Sequence, residues 1–286
     1  MIIEPESSSA MNPDISIISA CYNQGKFIKE MLASILAQTF QNFEVIIVND
    51  GSTDNTAEIL KSISSQKVKI ITTNNHGPAH ARNTAIKYAK ASIILNLDAD
   101  DKIGPDLLEK AFIIFTNDPN AGIVYSDVEF FGARAGKFKI GLFTIEGMLF
   151  DNKISSIAFF RKDDWDYVGG YSEELIYGLE DWDLWLSIIE LKRNVIKIQL
   201  TRVYYRIHSS LNLSRSGRRK LDRMNAIKSL ALIFKRHEKL YSNYPNAWKK
   251  FSKYEKIVNE NFFFIKCIKN RLFILRQEFN FKYRLS

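Results

Sequence analysis

The chain has 286 residues, 46% of them hydrophobic and 25% charged, which excludes a disordered or fibrous protein and suits one large α/β domain with an appendage. Its two cysteines, Cys21 and Cys267, are too few for a disulfide framework or a zinc site, so a reducing compartment is expected. No apolar run approaches the ~18 to 20 residues of a membrane-spanning helix.

The net charge of +8 is unevenly placed. Residues 222–286 carry 15 Lys/Arg against 5 Asp/Glu, whereas the other 221 residues come to −2. A nearly neutral body with a basic tail points to an appended segment with its own partner, either an anionic membrane surface or nucleic acid.

In chain order, Met1 to Pro13 carries Glu4 and Glu6 without a basic start, and is expected to be a flexible lead-in (residues 1–12), not a signal peptide. Ile15 to Ala20 reads as a buried strand, apolar on both faces. Phe27, Met31 and Ile35, with Ile28, Leu32 and Leu36, recur at helical spacing to about Gln38. Phe43 to Val48 is a second buried strand, followed by Asn49-Asp50-Gly51. Ser52, Thr53 and Asp54 supply caps for a helix to about Ile63.

Val68 to Thr72 is a third strand, Gly77-Pro78 opens another helix, and Ile93 to Leu97 is a fourth strand that stops at Asp98. Strands alternating with helices imply parallel pairing, with the ligand beyond the carboxyl ends of the strands. Asn23, Asp50 and Asp98 all fall at such ends. Further on, Gly122 to Phe131, Ile154 to Arg161 and Arg202 to Ile207 read as extended and Leu184 to Leu191 as helical. From about Asp222 the chain reads as helices rich in lysine and aromatics.

Several of these residues carry chemistry. Asp98 and Asp100 leave a buried strand one residue apart, with Asp101 beside them. Burying an unpaired carboxylate is costly, so the pair is expected to converge on a hard cation such as Mg²⁺ or Mn²⁺. A solvated acidic turn is the alternative. Asp50 offers an acceptor-only carboxylate suited to the N–H of a uracil-like base, or it belongs to a plain strand-to-helix turn. Arg82, one turn into its helix, faces a diphosphate beside the helix N-terminus or pairs with a neighbouring carboxylate.

Glu180-Asp181 lies among Trp182, Asp183 and Trp185. Either one acid caps a helix, or one carboxylate, its pKa lifted by aromatic shielding, takes a proton from an attacking hydroxyl. His208 is one of only four histidines and is structural or a ligand.

These segments, in this order, resemble the family 2 inverting glycosyltransferases. The likeness spans about residues 13–215 and rests on ISIISACYNQGKFIKEMLASILAQTF, FEVIIVNDGSTDNT, GPAHARNTAI, IILNLDADD, VGGYSEEL and LEDWDLWL. It implies a GT-A type, Rossmann-like, mostly parallel sheet flanked by helices, with residues 13–104 binding the nucleotide-sugar and 105–215 the acceptor. Residues 216–286 form a basic, aromatic-rich helical tail. It also implies a UDP-sugar donor and a Mn²⁺ or Mg²⁺ ion.

Carried onto this chain, the resemblance puts Asp50 at the base, Asp98 near ribose and metal, and Asp100 as main metal ligand. His208 joins the metal or diphosphate, while Ala20, Tyr22, Asn23, Arg82 and Ala99 complete the nucleotide-sugar site. Asp181 becomes the general base, with Glu180 as orienter or alternative. Ala20 stands where the family often has proline, Ala85 and Ala91 where it often has glycine, and Asn96 where an apolar residue is usual.

The reaction implied is a single inverting displacement on a saccharide or lipid-linked hydroxyl, by analogy in surface polysaccharide or glycolipid synthesis. A sugar nucleotidyltransferase is the competing enzyme, disfavoured because Tyr22-Asn23-Gln24-Gly25-Lys26 is a poor phosphate loop. A basic-tailed nucleic-acid adaptor is the non-catalytic competitor. Phe262-Phe263-Phe264 and Phe273 beside Lys266, Lys269 and Arg271 suit a membrane surface better than nucleic acid, or plain packing on the main domain. The expected location is cytoplasmic, peripheral to the membrane.

Overall fold

The computed structural model describes residues 12–138, 141, 143–208 and 215–258. The chain divides into two compact units: residues up to Ile176 together with Glu180–Leu213, and Tyr177–Leu179 together with the residues from Ser214 on.

The first unit begins with the alternation expected from hydrophobic periodicity: β1 (Ile15–Cys21), α1 (Gly25–Leu36), β2 (Phe43–Asp50), α2 (Thr56–Lys61), β3 (Val68–Thr73), α3 (Pro78–Tyr88) and β4 (Ile93–Asn96). It continues through β5 (Lys102–Ile103), α4 (Leu107–Asn117), β6 (Ala121–Gly132), β7 (Gly136–Phe138), α5 (Ile145–Phe150), β8 (Phe159–Arg161), α6 (Lys162–Val168), α7 (Glu180–Glu190) and β9 (Asn194–Ile207). The strands form one mixed sheet in the order β3-β2-β1-β4-β8-β6-β9-β5, with β7 paired to β6.

The β3-β2-β1-β4 half is parallel throughout. Its central strands are buried on both faces: Ile15, Ile17, Ile18 and Val45 to Val48 are fully enclosed. That is why these segments are continuous apolar runs and do not alternate. Ala85 and Ala91 are buried packing positions. The GT-A architecture implied by the resemblance is the one observed.

The second half departs from the parallel pattern. β8 runs antiparallel to β4 and β6. Residues 154–158 do not join the expected strand, because their carbonyls are claimed from the side. Asn96 donates its backbone N–H to Ala158 (3.2 Å) and its side-chain amide to Ser156 (2.9 Å). The buried Asn96 thus stitches the end of β4 to an irregular segment, which accounts for a polar residue at an otherwise apolar position.

The expected capping cluster also divides its labour. Asp54 accepts the Thr56 N–H at the start of α2 (2.9 Å), while Ser52 and Thr53 serve Asn23.

The second unit contains α8 (Arg215–Arg236) and α9 (Glu238–Ser242), then a helix over 245–258. Its core is aromatic: Phe234 meets Tyr241 and Trp248 with ring centroids 5.3 and 5.0 Å apart, and Tyr241 meets Phe251 at 5.3 Å. These tail aromatics are therefore spent on internal packing. Among the described residues no helix is long and apolar enough to cross a membrane. The lead-in before Asn12 and the Phe262–Phe264, Lys266, Lys269, Arg271 and Phe273 cluster lie outside the described residues.

Gly51 is the position where backbone freedom matters most. Its φ is +68°, and an added Cβ would lie 2.6 Å from the Asn75 backbone nitrogen. Gly51→Ala is therefore expected to cost roughly 2 kcal/mol of stability, measured by urea unfolding. Unchanged stability would mean that the Asn75 loop moves freely.

Candidate active site

Strands β1, β2 and β4 end on one edge of the sheet, and the polar residues that follow them meet there. Asp50 closes β2. Its Oδ1 accepts the His76 N–H (2.9 Å) and the Thr73 hydroxyl (3.3 Å), and its Oδ2 accepts the Gly77 N–H (2.8 Å). The carboxylate thus builds the entry to α3, and a carboxylate with about four acceptor positions retains one for a ligand. Asn23, with φ +55°, accepts the Thr53 and Asp54 N–H groups (2.8 and 3.3 Å). It clamps the turn after β2 and does not line the cavity described next.

A cavity of about 470 Å³ opens at this edge, within the usual range for small-molecule sites. Its walls include Ala20, Tyr22, Asp50, Arg82, Asp98, Ala99 and Asp100, so seven expected residues are brought together. Cys21 also lines it, but burial pushes its thiol up to about 12, which removes it as a nucleophile.

Arg82 on α3 is 6% exposed. One terminal nitrogen bonds Asp98 Oδ1 (2.8 Å) and the other Glu180 Oε1 (2.5 Å). Burial opposes its charge, yet Asp98 and then Glu180 more than offset this and hold its pKa above the ordinary arginine value. The guanidinium lines the cavity and at the same time joins the strand-end loop to α7.

The loop after β4 keeps its three acids apart by different means. Asp100 Oδ2 lies 2.7 Å from His208 Nε2. Asp101 is 1% exposed; burial, with the charges of Asp98 and Asp100, pushes its carboxyl well above the usual carboxylate range. Its Oδ1 accepts the Arg206 N–H (2.7 Å), and Arg206 Nε donates to the Asp100 carbonyl (2.8 Å). The Arg206 guanidinium is stacked between Phe27 and Phe131, 4.3 and 4.2 Å from their centroids. Strand β9 therefore carries the clamp on this loop, and the residue after its end is the histidine that meets Asp100.

Among the described residues no group of three or more His, Cys, Asp or Glu side chains converges as a metal cluster. Asp100 and His208 do converge on one point, and Asp98 Oδ2 has only Ser156 Oγ near it (3.5 Å). A sparse, oxygen-rich set of this kind fits a Mg²⁺ or Mn²⁺ ion that takes its remaining ligands from water and phosphate.

A second cavity, of about 390 Å³, is lined by Val128, Phe130, Asn152, Ser155, Asp181 and Tyr205 among others. Tyr205 also lines the first cavity, so the two share a wall. Half-buried Asp181 opens α7. Its Oδ1 accepts the Trp182 N–H (2.8 Å) and its Oδ2 accepts Asn152 Nδ2 (3.0 Å). Burial first, then the Glu180 charge, push its carboxyl up to about 6, against partial relief from Arg82. Glu180 is 8% exposed and held by Arg82, so of the two acids it is Asp181 that meets the cavity.

Sequence reasoning passed over Asn152, Ser156, Tyr205 and Arg206. Only Tyr205 and Arg206 carried a signal, an aromatic and a cation in an extended segment directly before His208.

A strand-edge site with acidic residues beneath one cavity and a titratable carboxylate in the next is that of a GT-A glycosyltransferase. Residues 16–171 match the family model described as glycosyl transferase family 2. The chain belongs to that family.

Among its relatives is a chondroitin synthase of Pasteurella multocida, 30% identical over 207 residues, covering 70% of this chain and 21% of that protein. Two solved structures share the fold. TarS 1–349 of S. aureus, in complex with UDP-GlcNAc, has 23% identity and a TM-score of 0.63, covering 77% of this chain and 65% of that one. A mannosyltransferase of Pyrobaculum calidifontis, in complex with GDP-Man and Mn²⁺, has 20% identity and a TM-score of 0.59, covering 85% and 69%. The chain thus spans about a fifth of the synthase's length.

Removing the shared cation should be costly. Arg82→Met leaves the buried Glu180 without its partner, and the partly exposed Asp98 with it, and is expected to lower stability by about 3 kcal/mol. Arg82→Lys, which can reach one carboxylate at a time, should fall between. Urea denaturation of the three proteins checks this, and a loss below about 1 kcal/mol for Arg82→Met contradicts it.

Proposed function

We propose that this glycosyltransferase is inverting and metal-dependent, moving a sugar from a UDP-sugar to a hydroxyl of a saccharide or lipid-linked acceptor in surface polysaccharide or glycolipid synthesis. The observation that carries the reading is the pair of cavities sharing Tyr205, with Asp98 and Asp100 on one and Asp181 on the other. The first suits a nucleotide-diphosphate-sugar: Asp50 retains an acceptor position for a base N–H, and Tyr22 offers an exposed ring at the rim. UDP-GlcNAc in TarS, and GDP-Man with Mn²⁺ in the mannosyltransferase, support a donor of this class.

Asp100, Asp98 and His208 would hold the divalent ion, which supplies charge neutralisation for the departing diphosphate. The acceptor hydroxyl lies in the second cavity and gives its proton to Asp181. Its oxygen then attacks the anomeric carbon from the side opposite the nucleotide, so the configuration inverts in one displacement. A carboxylate titrating near pH 6 is suited to this task, because it is ionised at neutral pH yet basic enough to accept a proton in the transition state. Arg82 keeps the neighbouring Glu180 in place.

The base must be ionised, so the sign of the pH effect is fixed. With Asp181 raised to about 6, kcat should be level above that pH and fall about tenfold per unit below it. Asp181→Asn should reduce kcat by ~10²–10⁴-fold with donor affinity nearly intact. A variant that keeps more than about a tenth of wild-type kcat removes the assignment.

The reaction class is read from the products. A thermal-shift panel of nucleotide-sugars with Mn²⁺ identifies the donor. Release of nucleoside diphosphate then supports sugar transfer, whereas pyrophosphate supports nucleotidyl transfer.

A further inference from the structure

We propose that Asn152 is the positioning residue for the base: its side-chain amide holds Asp181 Oδ2 in place and keeps the carboxylate ionised. The proposal rests on reading Asp181 as the base.

Among the described residues, each of the two Asp181 oxygens has one hydrogen-bond partner. Oδ1 is tied to its own helix by the Trp182 N–H (2.8 Å), which leaves the side chain free to pivot about that bond. Asn152 Nδ2, at 3.0 Å from Oδ2, is the contact from outside the helix. The orientation of the amide follows from its other end, where Asn152 Oδ1 accepts the Ile154 N–H (3.2 Å). Ile154 is 2% exposed, so the turn that carries the amide is anchored in the core.

The chemistry of the donor matters as much as its place. The charged groups facing Asp181 are Glu180 from α7, Arg82 from α3 and Asp98 from the loop after β4. Tyr171 and Tyr205 add phenols, and Asp151 and Lys153, from the Asn152 turn, pair with each other (2.8 Å). A lysine or arginine in place of Asn152 would neutralise the carboxylate and make it a poor base. A neutral amide steadies the ionised form without supplying a positive charge. Asn152 also belongs to the segment whose far end meets Asp98 and Asn96 through Ser156, so one irregular stretch lines the second cavity and touches an acid of the first.

The test is a ¹³C NMR titration of the full chain labelled at aspartate carboxyls, the Asp181 resonance being the one lost in Asp181→Asn. The wild-type midpoint is expected near 6. Asn152→Ala should move it up by about one pH unit, the scale of a hydrogen bond to a charged group. Asn152→Asp is isosteric and can still accept the Ile154 N–H, so it should fold like the parent and move the midpoint further, through like-charge repulsion. Affinity for UDP with Mn²⁺ should stay within about twofold in both variants, since neither touches the first cavity.

A residue that merely shapes the turn would leave the midpoint where it was. A midpoint within about 0.3 unit of wild type in Asn152→Ala, its fold checked by circular dichroism, overturns the proposal whatever Asn152→Asp shows. The underlying reading fails differently: Asp181→Asn would retain sugar transfer while the titration still shifted.

Discussion

Arg82 is the interaction on which the rest of the site depends. A buried guanidinium is costly unless its charge is met, and here Asp98 and Glu180 meet it through the two terminal nitrogens, while Nε has no partner among the described residues. Asp98 follows β4, and Glu180 opens α7, far along the chain. The ion triad therefore fixes the separation between the strand-end acids and the helix that presents Asp181. Helix α3, which carries Arg82, is itself fixed at its start by Asp50 through the His76 and Gly77 N–H groups. Asn83, next on the helix, takes the Tyr171 N–H (2.9 Å) and Trp165 Nε1 (3.2 Å), so the cation is held from three directions.

With Arg82 in place, six carboxylates share this region, their mutual repulsion tempered because their partners differ. Asp50 is satisfied chiefly by backbone N–H groups, Asp98 and Glu180 by the guanidinium, and Asp100 by His208. Asp101 is buried, its carboxyl pushed up by burial and by its two acidic neighbours. Asp181 alone combines cavity access with a carboxyl raised toward neutrality. Environment, not residue type, divides the roles.

The parts of this arrangement that local pattern encodes were legible in advance. Strands β1, β2 and β4 are buried on both faces and so appear as apolar runs, and their ends fall where the polar residues begin. That placed Asp50, Asp98 and Asp100 on one edge. The mixed half was less legible because its strands owe their pairing to distant partners. β5 and β7 are two and three residues long, too short for any period, and residues 154–158 lose an apparent strand to Asn96. Asn152 and Ser156 carry no motif; their significance lies in which carboxylate they meet across the fold. The pairing of Arg82 with two acids was one of two open readings, and only tertiary contact distinguishes them.

Asp181 shows how finely the triad acts at a distance. Its position at the start of α7, with the Trp182 N–H on Oδ1, favours the ionised form, while burial and the adjacent Glu180 favour the neutral one. Were Glu180 unpaired, its full charge would sit beside Asp181 and drive the carboxyl higher, and a base protonated at neutral pH accepts no proton. Arg82 prevents this in two ways, since it neutralises Glu180 and exerts its own attraction on Asp181. The cation that holds Asp98 at the wall of the first cavity therefore also acts on the carboxylate in the second, and one buried charge couples the two cavities electrostatically.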